Sequence, residues 1–308
     1  MKLTQIRDLI ATADTGSLRA AARHLGVTQP AITRSIRELE RELGVPLFER
    51  HQFGMLPTTM GLAMLKRART VEEELRRATE EISQMQGEMV GEVRVAMSAV
   101  STFAMMPQAV MSFRRTHPRA VMKFVESFYA PIEGQLLNGE IDFFVGPFMD
   151  TGRGSRVTSE VLFQNMRVVI ARKGHPLAQA TSIRQLGEAE WVKQALHDRK
   201  SEGDFERPFV QLGLPMPRII MHTTSSTATL LAVANSDLLT SVPMQVLNAP
   251  VDRALFDVLP ITDVLEAAPI CLVRRVDLSL TPLAECMFDM FRRAGLQHSR
   301  KSDGAAVL

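Results

Sequence analysis

The sequence predicts three parts in series: an all-α helix-turn-helix head, one long helix, and a larger α/β region. Three observations predict it. Two short helical patterns separated by a glycine lie between Gly16 and Arg50. An apolar stripe at helical spacing then runs from Thr58 to about Met89. From Gly91 onward strand-like runs alternate with helical ones, the pattern of parallel sheets.

The head begins with a helix from about Leu3 to Ala13 that buries Ile6, Leu9, Ile10 and Ala13. Leu18, Ala21, Ala22 and Leu25 share one face of a second helix. In a third, Ile32, Ile36, Leu39 and Leu43 recur at spacings of four, three and four, which makes one apolar stripe. Gly26 stands between them, where the chain must turn sharply. Thr28 is placed to cap the third helix through its hydroxyl, and Pro30 is tolerated in a first turn whose amides lack helix partners. The outward face carries Gln29, Thr33, Arg34 and Arg37. Gln pairs bidentately with adenine, Arg with guanine, and Thr touches a thymine methyl. These residues sit near the helix N-terminus, the part of such a motif that meets base edges. A merely solvated face would carry the same arginines, and the pattern alone leaves that alternative open.

Gly16-Ser17-Leu18, Ala20 to Ala22, Leu25, the run Thr28 to Arg37, Leu39-Glu40, Leu43-Gly44, Pro46-Leu47-Phe48 and Arg50 resemble the LysR-type transcriptional regulators. The resemblance implies a winged helix-turn-helix over residues 1–57, with double-stranded DNA as partner. It implies a DNA-binding set of Ser17, Thr28, Gln29, Pro30, Thr33, Arg34, Arg37, Arg50 and Phe53, with Arg50 near phosphate. The wing departs from the family, whose members carry an Arg-Gly turn where this chain has Phe53-Gly54. Phe53 cannot supply the positive charge that a narrow minor groove attracts. The wing is therefore expected to contribute less, or to touch sugar or backbone through an apolar contact.

Residues 58–90 are expected to form the linker helix. Leu65, Ala68, Val71, Leu75, Ala78, Ile82, Met85 and Met89 line one side, and Glu72, Glu73, Glu74, Arg76, Arg77, Glu80 and Glu81 the other. A lone helix of this length leaves its stripe wet, so the stripe wants a partner. The resemblance implies antiparallel pairing with a second copy, a homodimer that assembles to a homotetramer. Packing on the chain's own carboxy-terminal region is the alternative.

Residues 91–308 complete the chain. Gly91 to Ser98, Val121 to Glu126 and Ile141 to Gly146 read as strands, with helices over Ser101 to about Thr116 and Ile132 to Leu137. Val168 to Ala171, Ile219 to His222, Leu238 to Val242 and, more weakly, Trp191 to Lys193 read as strands of a second half. Pro269 to Arg274 returns to the first half, a helix from Pro282 to about Ala294 follows, and the polar tail from Gln297 is expected to fray. The resemblance implies a periplasmic-binding-protein-like effector domain of two subdomains, I over about 91–162 and 269–300 and II over about 163–268. In that fold strand ends and helix N-termini point into a cleft. Ser98, Ala99, Val100, Ser101 and Thr102 form one hydroxyl-rich segment at such a place, and Thr223, Thr224, Ser225 and Ser226 open another. Helix N-termini attract anions. Ser127, Phe128, Pro147 and Phe148 are expected to line the same cleft. Helix capping alone would explain these Ser and Thr residues as well. The expected effector is a small organic anion. An aromatic carboxylate or sulfonate suits Phe128 and Phe148, and the segments 235–243 and 274–282 are similar to regulators of aromatic sulfonate breakdown. Asp237 stands where many relatives have glycine, which bears on the turn there.

Composition narrows the classes. With 45% hydrophobic and 23% charged residues the chain is an ordinary globular protein. Residues 1–70 hold eleven Lys and Arg against six Asp and Glu, whereas residues 71–90 hold two against six. A basic head followed by an acidic helix suits DNA binding. The amino terminus is amphipathic and lacks the apolar core of a signal peptide, and no apolar run reaches the roughly 18 residues of a membrane span. A cytoplasmic location without membrane partner is expected, and a solute-binding transport role is set aside. Cys271 and Cys286 suit a reducing compartment, with buried bystanders favoured over a redox pair. Most of the eighteen methionines are expected to fill core gaps. His117-Pro118 and His175-Pro176 read as surface loops. No nucleophile-base set, phosphate-cradling loop or metal spacing is present in the sequence, so neither enzyme, cofactor nor metal is expected. The reading is a ligand-responsive DNA-binding regulator, with RNA polymerase a further candidate partner. The alternative is a ligand-independent or architectural DNA binder.

Overall fold

The computed structural model describes residues 1–52, 54–149, 152, 156–194, 205–248 and 253–305. The chain divides into two compact units, Met1–Gly87 with Asn138–Glu140, and Glu88–Leu137 with Ile141–Leu308.

The first unit contains α1 (Leu3–Thr15), α2 (Leu18–Leu25), α3 (Gln29–Leu43), a hairpin of β1 (Phe48–His51) and β2 (Gly54–Pro57), and α4 (Thr59–Met85). Ile6, Leu9, Ile10, Ala21, Ala22, Ile32, Ile36 and Leu39 form its core with Leu47, Phe48, Leu65 and Ala68. Periodicity thus named most of the buried residues, but Ala13 is only half-buried at the edge of this core. Leu43 ends α3 in solvent, because the chain turns away at Gly44. Gly26 caps α2 with left-handed backbone, as expected. Thr28 is the N-cap of α3, but its hydroxyl makes no capping bond. Pro30 has no N–H to offer it, and the Ala31 N–H is already taken by the Thr28 carbonyl at 3.0 Å.

Glu40 fixes the exit from α3 by accepting from the Leu47 and Phe48 amides at 2.8 and 3.3 Å. The hairpin docks back through Met55 N–H to the Gly16 carbonyl at 2.8 Å. Thr58 caps α4, accepting from Gly61 N–H at 2.9 Å and donating to the Pro46 carbonyl at 2.8 Å. The 27 residues of α4 make a rod of about 40 Å. It stops at Met85, four residues short of expectation. Gly87 follows with a φ of +93°, which glycine adopts without the Cβ strain that bars other residues. Met89 leaves the stripe and packs on the core of the second unit.

In the second unit β3 (Glu92–Met97) lies parallel to β4 (Val121–Glu126) and β5 (Phe143–Pro147). The long β6 (Val157–Arg172) and β11 (Glu266–Arg275) run antiparallel, and β11 also pairs antiparallel with β5. The far end of β6 carries β9 (Thr240–Pro243) and β10 (Phe256–Val258). Among the described residues these seven strands form one mixed sheet, not the parallel sheets expected. β7 (Glu190–Lys193) and β8 (Arg218–His222) make a separate parallel pair. β6 starts eleven residues before the expected Val168, so the expected border near residue 162 falls inside a strand.

The expected helix over 101–116 is two, α5 (Ala99–Ala104) and α6 (Met106–Thr116), broken at Met105. Pro107 forces the break, since its ring would clash with a carbonyl one turn back. α7 (Tyr129–Leu137) starts three residues early, and the short α8 (Arg207–Gln211) and α9 (Ser226–Ala234) follow. α10 runs from Pro282 to Ala305, so residues 297–305 are helical rather than frayed, and the last three residues lie outside the described ones. His298 holds it, its ring tilted against Phe163 at 4.7 Å between centroids and Gln245 Nε2 at 3.3 Å from its Nε2. The main core gathers Val95, Phe113, Phe143, Val145, Leu272 and Phe291, and a second gathers Trp191, Phe209, Ile183 and Leu186.

His175 is buried, not in a surface loop. Leu177 N–H donates to its Nδ1 at 3.0 Å, so Nε2 carries the proton and faces the Asp237 carbonyl at 3.1 Å. Asp237 also pairs with Arg172 at 2.6 Å, and no described residue other than glycine has positive φ. Its turn therefore needs no glycine. Cys271 and Cys286 are free and belong to different clusters of the sheet's packing. Burial pushes the Cys271 thiol up to about 11, and burial followed by Asp289 and Glu285 raises Cys286. Raised thiols form little thiolate and react slowly.

Candidate DNA-reading face and ligand cleft

The outer side of α3 borders an open groove of about 670 Å³ lined by Gln29, Pro30, Thr33, Arg34, Arg37 and Arg41. Residues 29, 33, 37 and 41 recur every four positions, so they follow one flank of the helix over about 18 Å. Gln29, Pro30, Arg34, Arg37 and Arg41 are exposed, which meets the first demand on a surface that reads bases. Thr33 spends its hydroxyl proton on the Gln29 carbonyl at 2.9 Å. Arg41 was missed by the sequence reading, although its four-residue step from Arg37 was visible.

Ser17 caps α2, accepting from Ala20 N–H at 3.4 Å. Arg50 is exposed on β1 opposite Met55. Phe53 lies outside the described residues.

In the second unit three parallel strands end together. Ser98 N–H donates to the Val145 carbonyl and Ser127 N–H to the Met97 carbonyl, both at 2.9 Å. This brings Ser98, Ser127 and Pro147 to one rim. Ser98 caps α5; its Oγ meets Ser101 N–H at 3.4 Å and Ser101 Oγ at 3.1 Å, and both side chains are buried. Thr102 Oγ1 donates to the Ser98 carbonyl at 3.1 Å. Hydrogen bonds within the segment therefore already engage the Ser98, Ser101 and Thr102 hydroxyls, while Val100 is core and Ala99 half-buried. Phe128 is half-buried, and Phe148 meets Tyr129 edge-on at 4.7 Å and donates its N–H to Pro269 at 3.1 Å.

The second hydroxyl segment reaches the same rim. Thr223 N–H donates to the Lys193 carbonyl at 3.1 Å, and Thr223 Oγ1 accepts from Ser225 N–H at 3.0 Å. Ser225 caps α9, accepting from Ala228 N–H at 3.2 Å, and Thr224 is exposed. Ser226 crosses the cleft. It donates to Glu126 Oε1 at 2.6 Å and accepts from Gln194 Nε2 at 2.7 Å. Lys193 is buried and paired with Glu206 at 2.6 Å. Neither Glu126 nor Gln194 was anticipated, although Glu126 directly precedes Ser127. No group of three or more His, Cys, Asp or Glu suited to a metal occurs among the described residues. No helix among them is long and apolar enough to cross a membrane.

Residues 86–295 match the family described as LysR substrate binding domain, and residues 3–62 match the bacterial regulatory helix-turn-helix protein, lysR family. The HTH-type transcriptional regulator GalR of Pseudomonas putida is 31% identical over 180 residues, which are 58% of this chain and 45% of GalR. The HTH-type transcriptional regulator TdcA of Escherichia coli is 26% identical over 257 residues, 82% of this chain and 80% of TdcA. The crystal structure of CbnR, a LysR family transcriptional regulator, has a TM-score of 0.73 at 23% identity and covers 96% of this chain and 99% of its own. The structure of full-length CbnR complexed with its target DNA has a TM-score of 0.72. At that identity the likeness shows the fold.

Proposed function

Because the chain belongs to the LysR family of ligand-responsive, DNA-binding transcriptional regulators, which are not enzymes, we propose that it reads its operator with the outer flank of α3 and senses a small organic anion in the second unit. The observation that carries this is the row of exposed Gln29, Arg34, Arg37 and Arg41, with half-buried Thr33 among them, along the groove beside α3. Arg34, near the helix start, pairs with a base, and Arg41 and Arg50 meet phosphate. CbnR, which shares the fold, has been seen on its target DNA, which supports DNA as the partner. The exposed stripe of α4 pairs two copies, and pairs assemble further into a tetramer. Effector binding favours one assembly geometry over another. That needs unequal affinity for the two states, since a ligand that binds both alike shifts nothing.

Arg34→Ala is expected to relax base preference at one operator position by about 1–3 kcal/mol. Arg50→Ala and Arg41→Ala should weaken specific and random duplex about equally, and each should lower the salt slope by about one. Fluorescence anisotropy across a salt series separates these outcomes. Equal loss on both duplexes for Arg34→Ala would remove it from base reading. For the effector, an aromatic carboxylate or sulfonate is the first choice, from Phe128 and Phe148 beside the rim. Thermal-shift screening of organic anions tests it, and stabilisation by sugars or cations alone would refute it.

A further inference from the structure

The end of β4 puts a carboxylate where the effector reading expects an anion. Glu126 Oε1 accepts from Ser226 Oγ at 2.6 Å, and the same hydroxyl accepts from Gln194 Nε2 at 2.7 Å. Glu126 and Ser226, 100 residues apart in the chain, come from opposite sides of the cleft. Ser226 opens the nine-residue α9, whose first-turn amides and dipole favour negative charge. A hydroxyl that accepts one hydrogen bond donates a stronger one, and a carboxylate acceptor strengthens it again. Lys193, at the end of β7, is paired with Glu206 at 2.6 Å.

We propose that Glu126 is a specificity-determining residue of the cleft, a tethered carboxylate that competes with the effector for the donor position at Ser226. The proposal rests on the organic-anion reading. One hydroxyl proton serves one acceptor, and two carboxylates at that spot repel each other. A side chain on a short tether competes at an effective concentration in the millimolar range. A free anion therefore binds weakly unless its remaining contacts repay the displacement of Glu126. The chain then responds only to ligands that fill the rest of the cleft, and small anions of the cell leave it unmoved.

Isothermal titration of the full chain tests this with acetate, benzoate, benzenesulfonate and benzylamine as probes. Glu126→Gln keeps the shape and can still accept from Ser226 but has no charge. At least tenfold tighter binding of an anion to Glu126→Gln than to wild type is expected, with that gain lost in Glu126→Gln/Ser226→Ala. Glu126 is exposed, so both variants should fold, which circular dichroism checks. Equal anion affinity in wild type and Glu126→Gln overturns the competition. So does benzylamine binding that Glu126→Gln abolishes, because Glu126 would then receive a cation. If no anion binds any variant, the organic-anion reading falls first and the proposal falls with it.

Discussion

Gly61→Ala is expected to destabilise the first unit by about 3 kcal/mol or more and to abolish operator binding. A Cβ at Gly61 would stand 2.0 Å from the Leu47 carbonyl oxygen and 3.0 Å from its carbon. Both are backbone atoms and have little room to retreat. The same carbonyl accepts from Thr58 N–H at 2.9 Å, and Leu47 N–H is held by Glu40 at 2.8 Å. The sign makes the test sharp. Gly61 lies in the first turn of α4, and helix propensity alone would have alanine stabilise it by up to about 1 kcal/mol. Gly134 in α7 is the control, because a Cβ there meets nothing within 4 Å. Gly134→Ala should be neutral or stabilising by about 0.5–1 kcal/mol. Urea melts followed by circular dichroism, with anisotropy on operator DNA, read both. A Gly61→Ala protein that melts like wild type would show that α4 does not press on the α3–β1 connection in solution.

The close approach at Gly61 marks the limit of what the sequence discloses. Periodicity located α1, α2, α3 and α4 and named most of their buried residues, because a helix writes its inner face into one continuous segment. It could not say that Gly61 is required for its missing side chain, since the clashing atom belongs to Leu47, fourteen residues earlier. The same reason hid β6. Ser159, Glu160, Gln164 and Asn165 interrupt its apolar residues, and only its pairing with β11 and β9 makes it one strand. Parallel order was inferred from alternating elements, but alternation cannot show that β11 returns antiparallel between β5 and β6. The cleft was legible as hydroxyl-rich turns after strands. Which hydroxyls already serve the backbone was not, as the Ser98–Ser101 pair shows, nor was the crossing from Glu126 to Ser226. Thr28 is a local lesson. The residue type was right for a cap, and Pro30 two positions later removed the amide it would have served.

Leu75→Glu combined with Ile82→Glu is expected to leave a folded monomer that binds its operator about a hundredfold more weakly. Val71, Leu75, Ala78, Ile82 and Met85 are spaced four, three, four and three, the repeat of a two-helix seam. Leu75 is 45% exposed and Ile82 60%, so the substitutions disturb only the edge of the packing within the chain. Leu65 and Ala68, one turn earlier, are buried in the head's own core, and the stripe becomes free only beyond them. A continuous apolar row on an otherwise charged helix is costly to leave in water and gains little from any role except pairing. Two glutamates on that row would face two more on the partner, and like charges brought together at a seam oppose association. The effect on DNA follows from avidity. A paired protein binds its second half-site at the effective concentration set by the first, which raises affinity by roughly two to four decades without any new contact. Sedimentation velocity reads the assembly, and anisotropy on full and half operators reads the loss. Wild-type affinity on the half operator together with the loss on the full one would assign the defect to pairing. A variant that stays dimeric and keeps full-operator affinity would place the pairing face elsewhere.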